Sequence, residues 1–336
     1  MKRTDLPWVL GAGIAALLIC LFVLGAILVR TRAPQAATSL DGTPDGGGTP
    51  APAGTAALPA TLPVTTSPGT PWGHIVYTCQ LAGDQICIMG ADGADMRQLT
   101  FDPVRHWYPS IAPEGGSVVF SAYREDNVYE IYELDFFGTR LQLTDRLGVA
   151  KAPEVSPDGR RIVFGLSDAA GTESIWLMDR DGGNPHELHS PGWDPTWSPD
   201  GGRVLFASLD ANNSIQLFTI GADGSGLAQV THLNNLRGRS DWSPDGRWMA
   251  TYAGEPWERE IFLFGPDGSG LVQFTSGGNT LAPSFSPDGT WVAMTSYRDR
   301  YGVDTGCEIY VTRIADAYTL RLTYNDYCDW QPRWGP

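Results

Sequence analysis

The tetrapeptide Ser-Pro-Asp-Gly recurs along this chain of 336 residues. It occupies residues 156–159, 198–201, 243–246 and 286–289, and a degraded copy, Ala-Pro-Glu-Gly, occupies residues 112–115. The prolines of these five stretches follow one another at steps of 44, 42, 45 and 43 residues. A period of about 40–45 residues built from short strands is typical of a β-propeller, with one four-stranded blade per repeat.

A second marker closes most of the repeats, an apolar residue followed by threonine. It stands at Leu99-Thr100, Leu143-Thr144, Val230-Thr231, Phe274-Thr275 and Leu322-Thr323, with Leu188-His189 in the remaining slot. Asp-Gly pairs between apolar runs predict hairpins, because both residue types tolerate positive φ. In Ser-Pro-Asp-Gly the proline presets φ and the glycine takes the left-handed position. We therefore assign the repeated tetrapeptide to turns and not to catalysis.

The two ends of the repeat region predict how the ring closes. The last residues, "WQPRWGP" at 330–336, match the start of a repeat such as "WDPTWSP" at 193–199. Residues 74–79, "HIVYTC", match the second strand of a repeat. One blade is therefore expected to be split, with its inner strand supplied by the carboxyl end. The predicted fold class is all-β, a six-bladed β-propeller whose split closing blade leaves no open edge.

Together these motifs resemble the TolB-like, WD-repeat-like bacterial propellers. The resemblance rests on the pattern P-x-W-S-P-D-G-x-x-I-x-F, an aromatic third strand, the Asp-Gly turn and the terminal Leu-Thr, and it covers residues 74–336. The chain departs from TolB, which carries an α/β domain before its propeller, so the resemblance does not imply a role in Tol–Pal envelope assembly. Similar repeats accompany prolyl-oligopeptidase-type hydrolases, which need a further hydrolase domain.

The amino-terminal residues are not expected to be globular. An uncharged apolar run begins at Trp8 and ends at Val29. About 20 such residues span a bilayer as a helix, whereas a cleavable signal has an apolar core of about 7–15. We expect a short cytoplasmic tail (residues 1–7) and a transmembrane helix (residues 8–29) that holds the chain in the cell membrane as a single-pass protein, with a cleaved signal as the alternative. Residues 30–73, rich in Pro, Gly, Ala and Thr, are expected to form a disordered, flexible linker before the propeller of residues 74–336.

Four cysteines lie in the propeller region, Cys79, Cys87, Cys307 and Cys328. An even number behind a membrane anchor predicts disulfides and an oxidising compartment, which favours a propeller outside the cytoplasm, periplasmic or extracellular. Three pairings are possible. A cross-strand bond between Cys79 and Cys87 is plausible, since they stand four residues either side of Gly83, and Cys307 would then pair with Cys328.

The aligned inner strands predict a central channel. The residue after the proline of P-x-W, or after Ser240 in the fourth repeat, is polar in every repeat, and the next residue is apolar. Because side chains of a strand alternate faces, the apolar column should pack between blades and the polar column should line the channel. The apolar column is Ile111, Val155, Trp197, Trp242, Phe285 and Trp334. The polar column, a candidate binding site for a small polar ligand or ion, is Ser110, Glu154, Thr196, Asp241, Ser284 and Arg333.

A second candidate binding surface precedes those strands, at the channel mouth. Its residues are of types enriched at binding hot spots, although the tryptophans could equally pack between blades. They are Trp107, Tyr108, Lys151, Trp193, Asp194, Arg239, Trp330 and Gln331.

The sequence contains no recognisable catalytic constellation. The strings nearest to a nucleophile elbow, around Ser225 and Ser269, have aspartate where the elbow requires glycine. "HELH" at residues 186–189 lacks metal-site spacing, so no metal or cofactor is expected. The formal charge of −15 should repel nucleic acid.

The leading functional hypothesis is a membrane-tethered scaffold that binds an unknown protein or glycan of the cell envelope through the channel mouth. The alternative is a channel hydrolase or lyase that uses Glu154, Asp241 and Arg333 on a cell-surface polysaccharide or peptide. A third is a passive structural or sensor domain. The sequence does not decide whether the chain is an enzyme, although the lack of a catalytic motif favours a protein that is not one.

Overall fold

The structure, a computed structural model, describes residues 69–336 apart from residue 82, residue 127 and residues 299–305. The described residues belong to one compact unit. The expected tail, anchor and most of the linker lie outside the described residues. Within the described part, no helix has the length and apolar character needed to cross a membrane.

The described residues contain 24 β-strands and no α-helix. In chain order the strands are β1 (His74–Cys79), β2 (Gln85–Gly90), β3 (Arg97–Gln98), β4 (His106–Ile111), β5 (Ser117–Glu125), β6 (Val128–Asp135), β7 (Arg140–Gln142), β8 (Val149–Val155), β9 (Arg161–Ser167), β10 (Glu173–Asp179), β11 (His186–His189), β12 (Trp193–Trp197), β13 (Arg203–Leu209), β14 (Ile215–Gly221), β15 (Ala228–Gln229), β16 (Asp241–Trp242), β17 (Met249–Ala253), β18 (Glu260–Phe264), β19 (Val272–Gln273), β20 (Thr280–Phe285), β21 (Trp291–Ser296), β22 (Glu308–Arg313), β23 (Thr319–Arg321) and β24 (Asp329–Gly335).

Across the described residues these strands form five sheets, which gives the all-β propeller that the repeat predicts. Four sheets have four strands each, in the orders β24-β1-β2-β3, β12-β13-β14-β15, β16-β17-β18-β19 and β20-β21-β22-β23. The fifth has eight strands, β4 to β11. Its two halves are joined by one parallel pair, Tyr129 with Val149, whereas the pairs within each half are antiparallel.

The carboxyl-terminal strand completes the sheet that the amino-terminal strands begin. β24 pairs antiparallel with β1, and Trp334 lies opposite Ile75 while Arg333 lies opposite Val76. This is the pairing that the matching ends of the repeat region predict. The chain therefore closes on itself by backbone hydrogen bonds, because a strand from one end fills the edge left open by the other.

The Ser-Pro-Asp-Gly turns are held by their own side chains. Ser156 Oγ donates to Asp158 Oδ1 (2.6 Å) and accepts the backbone N–H of Arg161 (2.9 Å). Gly159 has φ +73°, and its N–H donates to the carbonyl of Ser156 (2.8 Å). The other three copies of the tetrapeptide make the same bonds. A left-handed residue is required at the fourth position, which explains the glycine.

The Leu-Thr marker is a buried clamp between the third and fourth strands. Thr144 Oγ1 accepts the backbone N–H of Ile131 (2.9 Å) and donates to the Glu130 carboxylate (2.5 Å). Four further threonines make the same pair of bonds, to an adjacent N–H and to a buried glutamine or glutamate: Thr100 with Gln85, Thr231 with Gln216, Thr275 with Glu260, and Thr323 with Glu308. The marker recurs because each buried acceptor needs a donor.

The core lies between neighbouring sheets. Trp197 packs with Val163 of β9 and Val204 of β13, and Trp334 packs with Ile75 of β1 and Val311 of β22. All but one member of the predicted apolar column is buried, and Trp242 is half-buried. The alternation of faces along the inner strands therefore predicts correctly which column packs between sheets.

Two disulfides stabilise the region where the chain closes, Cys79–Cys87 and Cys307–Cys328. The first joins β1 to β2 with a Cα–Cα distance of 6.0 Å. The second joins the residue before β22 to the residue before β24, with a Cα–Cα distance of 4.5 Å. Of the three possible pairings, this is the one that the sequence favours.

Asp329, the first residue of β24, is a buried carboxyl in the closing sheet. Its Oδ2 accepts a hydrogen bond from Asn325 Nδ2 (2.7 Å). Burial and the nearby Glu308 carboxylate raise the pKa of Asp329 to about 7, although the hydrogen bond from Asn325 opposes them. Because a raised pKa means that the folded state holds the proton more tightly than the unfolded chain does, this group stabilises the fold less as pH rises.

Replacing Asp329 with asparagine should remove this pH dependence. In the unmodified chain the contribution is most favourable below pH about 4 and is lost as pH rises to about 7, which amounts to about 2–4 kcal/mol. Urea unfolding of both proteins from pH 4 to pH 8 measures the difference. We expect Asp329→Asn to gain stability relative to the unmodified chain across this window. Parallel stability curves would show that the carboxyl is ionised in both states.

Candidate functional site

Two cavities lie along the inner strands. On β8, Ala152 and Pro153 line a small cavity of about 10 Å³, which we call the narrow cavity. Glu154 and Val155 of the same strand line a larger one of about 370 Å³, which we call the vestibule. The prolines of the Ser-Pro-Asp-Gly turns and their equivalents line the vestibule: Pro113, Pro157, Pro199, Pro244, Pro287 and Pro336.

Arg333 lines both cavities. Its guanidinium lies between two carboxylates, with Nη1 2.9 Å from Asp241 Oδ1 and Nη2 3.4 Å from Glu154 Oε2. Nη2 also donates to the carbonyl of Ser240 (3.2 Å). This carboxylate–guanidinium–carboxylate cluster has one more negative charge than positive when both acids are ionised.

Both carboxylates are anchored to the backbone of the neighbouring repeat. Glu154 Oε1 accepts the N–H of Trp197 (3.0 Å) and the hydroxyl of Thr196 (3.1 Å). Asp241 Oδ2 accepts the N–H of Phe285 (2.7 Å). Burial raises the pKa of Glu154, and the Arg333 charge opposes that rise. Each acid therefore ties one inner strand to the next.

The structure brings together the whole polar column of the inner strands. Five of its six members line the vestibule, and Thr196 bonds to Glu154 behind it. Ser284 Oγ accepts the N–H of Trp334 (3.1 Å), which links two further inner strands. That this column binds a ligand stays a prediction.

The inner strands carry a recurrent bulge at the residue before the proline. That residue has positive φ although it is not glycine, and the pairing register of its strand shifts there. The residues are Tyr108 (φ +55°), Ala152 (+51°), Asp194 (+51°), Ala282 (+51°) and Gln331 (+55°). Non-glycine residues rarely adopt this conformation, and bulges re-aim side chains. Three of these residues, Tyr108, Ala152 and Asp194, line the narrow cavity.

The tryptophans predicted at the mouth are half-buried. Trp107 stacks on Tyr129 with ring centroids 5.2 Å apart, and Trp193 packs against a cluster that includes Leu205. Trp330 is also half-buried. These contacts fit the packing alternative for Trp107 and Trp193.

The polar mouth residues are largely engaged with other protein groups. Lys151 Nζ lies 2.6 Å from Glu173 Oε1, and Gln331 Oε1 accepts the N–H of Tyr108 (3.0 Å). Asp194 Oδ2 accepts the N–H of Arg239 (3.1 Å). The mouth stays a candidate binding surface.

The sequence assigns the prolines that line the vestibule to turns alone. Each stands three residues after a channel residue, as Pro157 does after Glu154, and that fixed offset is the signal that links turn to channel. In the described part of the chain, no three His, Cys, Asp or Glu side chains lie close enough together to hold a metal ion.

A family model described as the TolB β-propeller domain matches residues 63–280. This chain belongs to that family. The curated protein Atu1656 of Agrobacterium fabrum is 31% identical to this TolB-type propeller over 104 residues. The match spans 31% of this chain and about a third of that protein (34%).

Solved structures of similar fold include TolB from Acinetobacter baumannii, with 21% identity and a TM-score of 0.69, covering 79% of this chain and 67% of that one. A putative TolB from Agrobacterium tumefaciens has 20% identity and a TM-score of 0.61, covering 76% and 90%. At these identities the likeness concerns the fold. At a general level, a TolB-type propeller supports a protein-binding scaffold.

Proposed function

We propose that this chain is a scaffold that binds a peptide segment of a partner protein in the vestibule. The observation that carries the proposal is the vestibule itself, about 370 Å³, with Glu154, Asp241 and Arg333 among its lining residues. Ligand sites are typically concave, mostly apolar and of about 300–1,000 Å³, with few polar groups. A lining of prolines and aromatic side chains around a charged cluster has this character.

The charge of the cluster favours a basic group on the partner. Two carboxylates face one guanidinium, so a lysine, an arginine or an amino terminus entering the vestibule finds an excess of negative charge. Glu154 and Asp241 each accept a hydrogen bond from a backbone N–H and each also form an ion pair with Arg333. These two contacts hold each carboxylate rigidly. Rigid, mutually paired groups fit recognition better than proton transfer, which supports binding over the hydrolase or lyase alternative.

The proposal extends to architecture and location. Counting the eight-stranded sheet as two blades, because a single parallel pair joins its halves, gives a ring of six. Residues 8–29 would anchor the chain with the propeller outside the cytoplasm. Trp334 Nε1 donates to the carbonyl of Trp72 (2.8 Å), and Trp334 lines the vestibule. The linker therefore joins the propeller beside the vestibule, so an anchor would tether the propeller from that face.

Selection from a random peptide library displayed on phage tests the proposed function. Against the intact chain, we expect enrichment of peptides that contain arginine or lysine. Their affinity should fall by about tenfold or more in Ser110→Arg, which places a bulky cation in the vestibule, since tenfold corresponds to about 1.4 kcal/mol. The matched control is Ser225→Arg on an exposed hairpin, which should bind like the unmodified chain. Enriched peptides that bind both variants equally, or no enrichment, would refute the proposal.

A further inference from the structure

The fourth repeat breaks the pattern of the other inner strands. Its sequence is "GRSDW" at residues 238–242, with Ser240 in place of the proline. Its inner strand, β16, has only two residues, and the left-handed position falls on Gly238 (φ +112°). Arg239 consequently occupies the slot that the other repeats give to the bulged residue. A position at which one repeat departs from all the others is expected to be strained or functional.

Arg239 is a buried cation without an ion pair. The residue is 5% exposed, and no carboxylate of the described residues lies within salt-bridge distance of its guanidinium. Its Nε is buried and has no acceptor. The guanidinium stacks over the Tyr108 ring, 5.4 Å from the centroid, and Asp194 bonds to the backbone N–H of Arg239 instead. A buried charge without a partner costs several kcal/mol.

A second guanidinium faces the same space. Arg239 and Arg333 both line the narrow cavity, whose volume of about 10 Å³ admits about one water-sized occupant. Burial and, after it, the positive charge of Arg333 together lower the pKa of Arg239 to about 10, although the Asp194 carboxylate opposes them. Asp194 also lines the cavity, although one of its oxygens is occupied by a backbone N–H. Arg333 already pairs with Asp241 and Glu154, so Arg239 is the cation that lacks a counter-charge, and a small anion in the cavity would supply one.

We propose that the narrow cavity binds one small monovalent anion between Arg239 and Arg333, either a halide or an oxygen of a carboxylate. Guanidinium N–H groups are strong donors to anions, and the low dielectric of a buried site strengthens that attraction. The size of the cavity excludes sulfate and phosphate. This cavity shares only Arg333 with the lining of the vestibule.

Thermal unfolding of the intact chain tests the site. Sodium is kept at one concentration while bulky methanesulfonate is replaced by chloride or, separately, by acetate, so that ionic strength does not change. We expect replacement to raise Tm by about 2–4 °C. Stabilisation by chloride alone assigns a halide, and stabilisation by acetate as well assigns a carboxylate oxygen. A Tm that neither anion changes would overturn the proposal.

Two variants locate the effect. Arg239→Met should lose the anion dependence and, in methanesulfonate, should unfold at a higher temperature than the unmodified chain, because it removes an unpaired buried charge. Arg237→Met, two residues away and exposed, should keep the dependence. Equal anion dependence in both variants would overturn the proposal. Should Arg239→Met not fold, crystals of the unmodified chain soaked in bromide and, separately, in acetate decide. Anomalous signal from bromide beside Arg239 would support a halide, and acetate density there would support a carboxylate oxygen. The absence of both anions beside Arg239 would overturn the proposal.

Discussion

Replacing Arg333 with methionine is expected to destabilise the fold by about 3–5 kcal/mol at neutral pH. The reason is that Asp241 and Glu154, which lie 2.9 Å and 3.4 Å from its guanidinium, would be left facing each other without a cation. Their side chains are only 14% and 17% exposed, so water cannot fully replace the lost pair. Urea unfolding measures the loss.

Neutralising the acids should reverse most of that effect. In the Arg333→Met background, Glu154→Gln together with Asp241→Asn is expected to recover a large part of the lost free energy of unfolding, because no unpaired charge remains. The matched control is Arg247→Met, whose side chain is 63% exposed and should cost less than about 1 kcal/mol. If Arg333→Met costs no more than this control, the cluster does not hold the inner strands together.

Removing the Cys307–Cys328 disulfide is expected to cost about 3 kcal/mol. The bond closes a loop with a sequence separation of 21 residues, against 8 for Cys79–Cys87, so the double alanine variant of the second pair should lose somewhat less. Cys328 directly precedes β24, and the N–H of Asp329 donates to the carbonyl of Cys307 (2.8 Å). Loss of the Cys307–Cys328 disulfide therefore loosens β24, the strand that closes the ring. Differential scanning calorimetry of both double alanine variants measures the loss of stability.

Thiol counting is the control for this prediction. The chain has five cysteines, and alkylation in denaturant without reductant should label Cys20 alone. After reduction all five should be labelled. Labelling of the four propeller cysteines before reduction would show that the bonds are absent from the protein as isolated, and the stability difference would then have another cause.

Much of the fold can be predicted from this sequence because its signals are local and repeated. A turn such as residues 156–159 requires a proline and a glycine at set positions, and the same residues recur at these positions in the other copies of the tetrapeptide. The clamp around Thr144 follows the same logic, although the threonine is visible in the sequence and its bond to Glu130 is not. The identity of the last strand's partner can be predicted because residues 330–336 match the beginning of a repeat.

The rest depends on distances across the ring, which a single sequence does not contain. Alternation places Glu154, Asp241 and Arg333 in one column, yet the sequence cannot tell which of them touch. The bulge at residues such as Ala152 is also invisible, since alanine has no preference for positive φ. For this reason the narrow cavity and the unpaired Arg239 emerge only from the structure, as does the parallel pair that merges two sheets.

Amide hydrogen exchange followed by mass spectrometry tests ring closure most directly. If β24 completes the sheet of β1, peptides that cover Asp329–Gly335 should exchange as slowly, within about tenfold, as peptides that cover β13 (Arg203–Leu209), because both open only with the whole domain. Exchange in Asp329–Gly335 that is faster than in β13 by a factor of about a hundred or more would show a strand that detaches on its own. The closed ring, and with it the vestibule, would then be contradicted.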